Sequence, residues 1–448
     1  MNYVKTLWKL CLFKQNEKKN RQQMKALQER KLRELLRFAY QNSEYYHKAF
    51  EDAGITKENL ERKPISAFPT LDKAALFANF DKLVTRPEIK QEELRNFDEQ
   101  EKQNHKLYLN KYHVVHSSGS TGDPAYFIYD ESAWNDMLVG IIRGALWDMS
   151  MPQILRFLSE GLRIVYVAAT DGRYGGAMAV GDGIDGLGAR QIHLDINLPL
   201  DEWIRQLNDF RPNVVIGYPS AIKILTELMD KQKVSLRIRR AISCGEPIGA
   251  SQRHALEKVL GTRIINFYGA SESLALGVEC DPNDGMLLFD DLNYIEVKDG
   301  EMYLTCLYNR VQPLIRYHIT DKIILKEPDK NSRYPFIRLD GLVGRDEDLL
   351  WFTDSKGRKD FLHPLAMEGF CIKGLRDYQF RQTGDDVFEM YAETTEDADK
   401  SYIEKEMLKL MQKILTDKAL KYVKFQVHFV EEILPDPKTG KKQLIITK

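Results

Sequence analysis

The sequence predicts an α/β protein of two domains: a large N-terminal domain of α/β sheets with a barrel-like part, and a small α+β C-terminal domain. Three observations predict it. Between about residues 110 and 267, short apolar runs alternate with segments of helical period, the pattern of a sheet built through crossover connections. From 285 to 340 the apolar runs draw closer together around a turn signal at Lys298-Asp-Gly300, with few helical stretches, which suits antiparallel strands. Beyond about 349, a hairpin, one amphipathic helix and a last strand make a separate small unit. The division is placed between 345 and 346, giving domains of 1–345 and 346–448.

Each element follows from local pattern. Residues 16–54 are charged and then amphipathic, and end at Gly54, so they read as helices. Pro64 and Pro69 then punctuate the chain ahead of Leu71-Asp-Lys73. Val114-Val115 starts the alternating region, and a helix is predicted over roughly 131–148. Buried strands are predicted at Arg163–Ala169, Asn213–Gly217, Ala241–Ser243 and Arg263–Phe267, with a helix at 219–231. In the tail, Asp354-Ser-Lys-Gly357 reads as a hairpin turn and 401–415 as an amphipathic helix.

Composition excludes several classes of protein. At 448 residues, with 43% hydrophobic and 29% charged, the chain has enough apolar content for large cores, which rules out wholesale disorder or a fibrous rod. Lys+Arg 65 against Asp+Glu 66 leaves a net charge of -1, so there is no basic field to attract a nucleic acid backbone. The five cysteines, Cys11, Cys244, Cys280, Cys306 and Cys371, form no CxxC pair, which reads as reduced thiols in a cytoplasmic protein. No apolar run approaches the roughly 18 residues of a spanning helix. In Met1–Phe13, Val4, Leu7, Trp8 and Cys11 share one helical face flanked by lysines. Two readings stand for it: a helix lying on its own domain, or a weak peripheral contact with a membrane surface. Monomer and homodimer both remain open.

The segment His116-Ser-Ser-Gly-Ser-Thr-Gly-Asp-Pro124 follows a short strand directly. Glycines let backbone N–H groups turn toward an anion, and the hydroxyls of Ser117, Ser118, Ser120 and Thr121 add donors. It lacks the spacing and lysine of a Walker A loop. An ordinary surface turn has the same composition. Four more segments follow in order: Ser243-Cys-Gly-Glu-Pro247, Phe267-Tyr-Gly-Ala-Ser-Glu272, Arg316-Tyr-His-Ile-Thr-Asp321 and Gly344-Arg-Asp-Glu-Asp348, with Pro437-Lys-Thr-Gly-Lys441 near the end. Taken together, in this order, they resemble the core motifs of the acyl-adenylate-forming superfamily. More narrowly, the chain resembles its phenylacetate–CoA ligase branch, including relatives in capsule-type gene clusters. The resemblance extends over Ala39-Tyr-Gln-Asn-Ser-Glu-Tyr-Tyr46, Phe68-Pro-Thr-Leu-Asp-Lys73, Pro219-Ser220 and Val278-Glu-Cys280, and so spans about 35–443.

The resemblance implies an ATP-dependent, AMP-forming ligase whose small domain is mobile. It implies that Ser117, Ser118, Gly119, Ser120, Thr121 and Gly122 hold the β- and γ-phosphates. Glu272 would bind Mg²⁺, and Ser271 would lie by the α-phosphate. Tyr268 and Gly269, with Gly245, Glu246 and Pro247, would line the adenine, and Asp321 would accept from the ribose hydroxyls. Arg345 would reach the nucleotide from the domain junction, and Lys441, with Lys442 as the neighbouring alternative, would be the adenylation lysine. Tyr174, Gly175, Gly176 and Tyr218 would line the acid pocket. Solvated or capping roles remain open for Asp321, Arg345 and Lys441. Thr320 and Ala270 depart mildly from the family pattern, as do Glu347-Asp348. Coenzyme A is the implied acceptor. A carrier-protein thiol, or an amine or hydroxyl in polysaccharide or secondary-metabolite synthesis, is the alternative, and a non-catalytic nucleotide-binding protein is the rival class.

Three further signals point elsewhere. Gly181-Asp-Gly-Ile-Asp-Gly186 matches GxGxxG, but a loop precedes it and Leu187–His193 looks like a strand, so it reads as a turn between strands and not as a dinucleotide site. Cys280 and Cys306 lack the partners that structural zinc needs, so no zinc is expected and both read as buried thiols. His116 and His318 abut the phosphate-loop and ribose motifs, with core or surface roles equally open.

Overall fold

The computed structural model describes residues 3–100, 106–116, 124–168, 189–245, 248, 250–281, 285–298, 301–328, 332–342, 350–354, 356–362, 367, 370, 372–433 and 444–446. An eleven-stranded sheet organises the large domain. One half is parallel, in spatial order Arg190–Asp195, Arg163–Ala168, Val214–Gly217, Arg240–Cys244 and Ile264–Ala270. Its strands carry Val165, Val167, Val215, Ala241, Ile264 and Ile265 at 0% exposure, as a sheet covered on both faces requires. The other half is antiparallel, running through Ser273–Glu279, Met286–Leu288, Arg338–Leu342, Tyr317–Lys326, Glu301–Cys306 and Asn293–Lys298. The closely spaced strands of 285–340 are thus antiparallel, and they continue the edge of the parallel sheet. The join is the turn Ser271–Glu272, where Ile264–Ala270 folds back on Ser273–Glu279.

The helix predicted from 131 runs over Glu131–Ala145. Asp130 caps it, accepting from the Ala133 N–H at 2.9 Å. Its two glycines are sites of close approach. A Cβ at Gly144 would stand 2.5 Å from the Phe267 ring, and one at Gly140 2.6 Å from Leu292. The helix therefore lies directly on the sheet. It also carries Arg143, fully buried, whose guanidinium forks onto Asp291 at 2.7 and 2.9 Å.

The first helix, Tyr3–Asn16, lies on this one. Thr6, Leu10 and Phe13 face inward, and Lys9 pairs with Asp136 at 2.5 Å. The outward face carries Val4 and Trp8, 73% and 64% exposed, with Leu12. It thus docks on its own domain through the face opposite Val4 and Trp8. No described helix is long and apolar enough to cross a membrane. Cys280 and Cys306 are free and buried, and burial pushes both thiols up to about 11.

The C-terminal region has its own core. A four-stranded sheet, ordered Lys424–Val430, Val387–Thr394, Leu375–Gln382 and Ile445–Ile446, is backed by the helix Lys400–Asp417. That helix buries Ile403, Met407, Met411 and Leu415, a four-residue repeat facing the sheet. The predicted turn at Asp354–Gly357 closes a hairpin of Leu350–Thr353 and Lys359–Leu362, with the Asp354 carboxylate accepting from the Lys356 and Arg358 N–H groups at 2.9 and 2.8 Å. Leu350, Phe352 and Leu362 of this hairpin belong to the small core, and Phe361 to the large one.

Burial drives the Asp291 carboxyl upward, and the charge and hydrogen bonds of Arg143, with Lys31 and Asn16 adding to them, more than reverse this, so it ends below its ordinary value. Arg143→Met strands that carboxylate in the core and is expected to cost about 3–5 kcal/mol of stability, measured as a lower urea midpoint. A carboxyl held low contributes stability above its unfolded pKa of about 4 and loses it as pH falls through its folded value. Acid titration of the wild type should show this component, and the variant should lack it.

Candidate active site

The described part of the site forms along the carboxyl ends of the parallel strands, where α/β sheets present their loops to a ligand. Register places Gly245 and Tyr268 level with each other there, and Tyr218 one residue short of that row. Gly217 pairs with Ser243, and Cys244 with Phe267, so Tyr218, Gly245 and Tyr268 each stand one step beyond a paired position on adjacent strands. Gly245 has φ of +83°, and a Cβ on it would stand 2.6 Å from the Tyr218 ring. A side chain there would meet both backbone strain and the ring. Tyr218 and Tyr268 are both buried, and the Tyr268 hydroxyl lies 3.8 Å from the Met302 sulfur.

Gly269 is needed for a different reason. The register shifts between Tyr268 and Ala270, and a Cβ on Gly269 would stand 2.5 Å from the Leu274 carbonyl oxygen. This bulge tightens the turn that carries Ser271 and Glu272, both half-buried. Tyr129 holds the turn from below, its hydroxyl lying 3.4 and 3.3 Å from the Ser271 and Glu272 carbonyl oxygens. Tyr129 sits on Tyr126–Tyr129, the strand that leaves the Ser/Gly loop, and that strand pairs with His113–His116, the strand that enters it. Asn309 and Gln312 clamp the same strand, Asn309 donating to the Ile128 carbonyl at 2.8 Å and Gln312 to that of Tyr126 at 3.0 Å. Both flanks of the loop are thereby fixed beside Glu272.

Asp321 lies on the strand Tyr317–Lys326. Pairing runs from Met302↔Ile319 to Glu301↔Lys322, so Thr320 and Asp321 form a bulge. Tyr317 opens that strand and packs edge-on against Phe127 at 6.3 Å. Burial, with the charges of Glu272 and Asp72 adding to it, pushes the Tyr317 hydroxyl far up and keeps it protonated. Arg316 just before it has φ of 49° and pairs with Glu296 at 2.9 Å. Its guanidinium donates to the carbonyls of Ser66 and Phe68 at 3.1 and 2.5 Å, anchoring the Pro-punctuated segment beside the site.

The two candidate histidines have protein partners: His116 meets Asp98 at 2.9 Å, and His318 meets Glu301 at 2.6 Å and stacks on Tyr303. Ser117–Gly122, Tyr174, Gly175, Gly176, Glu246, Pro247, Arg345, Lys441 and Lys442 lie outside the described residues, as does the Gly181–Gly186 string. Sequence reasoning missed Tyr129, and it singled out Arg316 and Tyr317 within a motif without giving either a supporting role. An aromatic residue at a strand end reads as core, and only the fold reveals whose carbonyl its hydroxyl meets.

No protein-family profile matches the chain. It is 26% identical over 362 residues to a phenylacetate-coenzyme A ligase of Aromatoleum evansii, covering 75% of this chain and 73% of that protein. Protein CapK of Staphylococcus aureus is 23% identical over 438 residues, covering 94% and 88%. Among solved structures, 2-hydroxyisobutyryl-CoA ligase in complex with 2-HIB-AMP and CoA in the thioesterification state matches with a TM-score of 0.62. There the identity is 18%, with 97% of this chain and 91% of that one covered, a likeness of fold.

Gly269→Ala is expected to cost about 1–3 kcal/mol, because the atom it meets is backbone and cannot swing away. Tyr129→Phe should cost about 1 kcal/mol through the lost hydroxyl. Thermal denaturation of the two variants checks both.

Proposed function

Because the chain belongs to the acyl-adenylate-forming superfamily, in its phenylacetate–CoA ligase branch, we propose that it activates a carboxylic acid with ATP and passes the acyl group to the thiol of coenzyme A. The observation that carries this reading is the convergence around Glu272. The two strands flanking the Ser/Gly loop, the turn bearing Glu272 and the strand bearing Asp321 are locked together through Tyr129, Phe127 and Tyr317.

In the first half-reaction a carboxylate oxygen of the acid attacks the α-phosphorus of ATP, and the bond to pyrophosphate breaks. In the second the thiol sulfur attacks the acyl carbon, its proton is lost, and AMP leaves with the C–O electron pair. The residues bind and orient. Ser117–Gly122 would cradle the β- and γ-phosphates with N–H and hydroxyl donors. Tyr268 and Gly245 would bound the adenine, and Asp321 would accept from the ribose. Lys441 would meet the negative charge that grows between carboxylate and α-phosphate. Tyr174, Gly175, Gly176 and Tyr218 would bound the acid.

The residues present fit Mg²⁺. Glu272 offers a half-buried carboxylate on a rigid turn, and this ion takes one or two carboxylates together with nucleotide oxygens. Among the described residues no cluster of three or more potential ligands occurs, so phosphate and water would complete the shell. The ion, when bound, neutralises charge on the phosphates.

Pyrophosphate release from ATP across a panel of aryl and aliphatic acids, with and without coenzyme A, tests the reading. Release that depends on one acid class and quickens with coenzyme A is expected. Acid-dependent release indifferent to coenzyme A reassigns the acceptor to a carrier thiol, amine or hydroxyl. Lys441→Ala is expected to lower adenylate formation by at least about a hundredfold, yet to leave thioester formation from supplied acyl-adenylate near wild type. Equal loss of both halves contradicts the role given to Lys441.

A further inference from the structure

Lys418 ends the helix Lys400–Asp417, where its own N–H bonds the Ile414 carbonyl at 3.0 Å. Its side chain is 0% exposed and reaches from the small domain to carbonyls of the large one. The ammonium meets three acceptors: the Ile196 carbonyl at 2.7 Å, the Leu198 carbonyl, and the Asp360 carboxylate at 3.4 Å. Three N–H donors thus have three partners. The nitrogen lies 4.0 Å from the centre of the Phe361 ring and 5.8 Å from that of Trp203. Ile196 and Leu198 belong to the link between the strand Arg190–Asp195 and the helix Leu200–Phe210 of the large domain. The clasp is reciprocal, because Leu200 N–H donates back to Asp360 at 3.2 Å. Trp203 is fixed in turn, its indole N–H donating to the Asp195 carbonyl at 3.1 Å.

We propose that Lys418 is a positioning residue: its ammonium, clasped by Ile196, Leu198 and Asp360, selects the orientation in which the small domain docks here, and its withdrawal frees that domain to turn. The proposal rests on the reading above in so far as two half-reactions need two placements of Lys441. Two observations mark the clasp as a releasable device. The junction beside it is not closed over: a partly open cleft of about 420 Å³, reaching Leu200 and Asp360 of the clasp, is bounded by Asp201, Lys231, Lys233, Arg358, Lys359 and Tyr422. Holding a charge in such a place is also poorly compensated. Burial drives the ammonium down to about 8 against the opposing pull of Asp360 and Asp195, and burial likewise drives the Asp360 carboxyl up. A buried pair whose desolvation outweighs its attraction adds specificity of placement more than net stability.

Hydrogen exchange at the Leu200 amide, whose acceptor is Asp360, reads docking without reference to catalysis. In Lys418→Met, exchange over 196–203 is expected to rise roughly a hundredfold, the scale of unpairing one partner of a buried pair. Exchange over the strand Val214–Gly217 should stay unchanged. The ratio of adenylate-forming to thioester-forming rates should shift in the same variant. Unchanged exchange over 196–203 overturns the proposal, as does an equal rise over Val214–Gly217, which would mean general unfolding. Should Lys418→Met not fold, Asp360→Asn decides. It keeps an acceptor for Leu200 and removes the counter-charge, and about a tenfold rise in exchange is expected, with no change again overturning the idea. If the wild type releases no pyrophosphate with any acid, the catalytic reading fails while the exchange result stands.

Discussion

The buried pair of Arg143 and Asp291 is the constraint on which the large domain turns. Arg143 comes from the helix that lies on the sheet, and Asp291 from the turn that leads into Asn293–Lys298. Phe13, Trp147, Phe289 and Phe336 surround the guanidinium with rings, the closest being Phe289, 4.2 Å from its centre. Asn16 donates to the same carboxylate at 2.8 Å, and Lys31 to the Asp291 carbonyl at 2.6 Å. One residue away, Asp290 is bonded by Arg21 and by the Ile337 N–H. A single turn therefore gathers the two N-terminal helices, the helix on the sheet and the strand from Arg338. An ion pair in such a place is weak as a source of net stability but demanding about geometry, so it sets how the antiparallel half meets the parallel half.

That meeting places the candidate site. Tyr218, Gly245 and Tyr268 stand at the carboxyl ends of neighbouring parallel strands. The first antiparallel strand then folds back through Ser271–Glu272, bringing a carboxylate to the same edge. Two glycines permit it for different reasons. Gly245 has a backbone conformation and a ring contact that exclude a side chain, and Gly269 has a carbonyl where a Cβ would be. Tyr129 adds a support through its hydroxyl, and Tyr317 one through its ring. Burial keeps the Tyr129 hydroxyl protonated and so keeps it a donor.

The two domains are related differently. Each has its own apolar core, and the contact between them depends on Phe361 crossing into the large core and on one lysine surrounded by acceptors. Within a domain, apolar surface accumulates. At the junction a few directional bonds and a partly open cavity do the holding. Relative motion of the two domains is the ordinary expectation for such a junction.

Strand and helix positions were legible because they are local. The runs Arg163–Ala168 and Val214–Gly217, the helix Glu131–Ala145 and the turn at Asp354 follow from periodicity, capping and turn chemistry within a few residues. The resemblance singled out the motif residues on the sheet edge, and the fold puts Glu272 at a strand-to-strand turn. What the tertiary structure decided is pairing at long range. Nothing local distinguishes Arg143 from a solvated arginine or Lys418 from the exposed lysines of its helix, and Tyr129 reads like any strand aromatic. Even the first helix buries Thr6, Leu10 and Phe13, not the stripe that periodicity favoured. The physical reason is that the worth of a polar or charged group depends on what lies within about 3 Å of it. Its partners here are 148 residues away for Arg143 and about 220 for Lys418, distances that only folding closes.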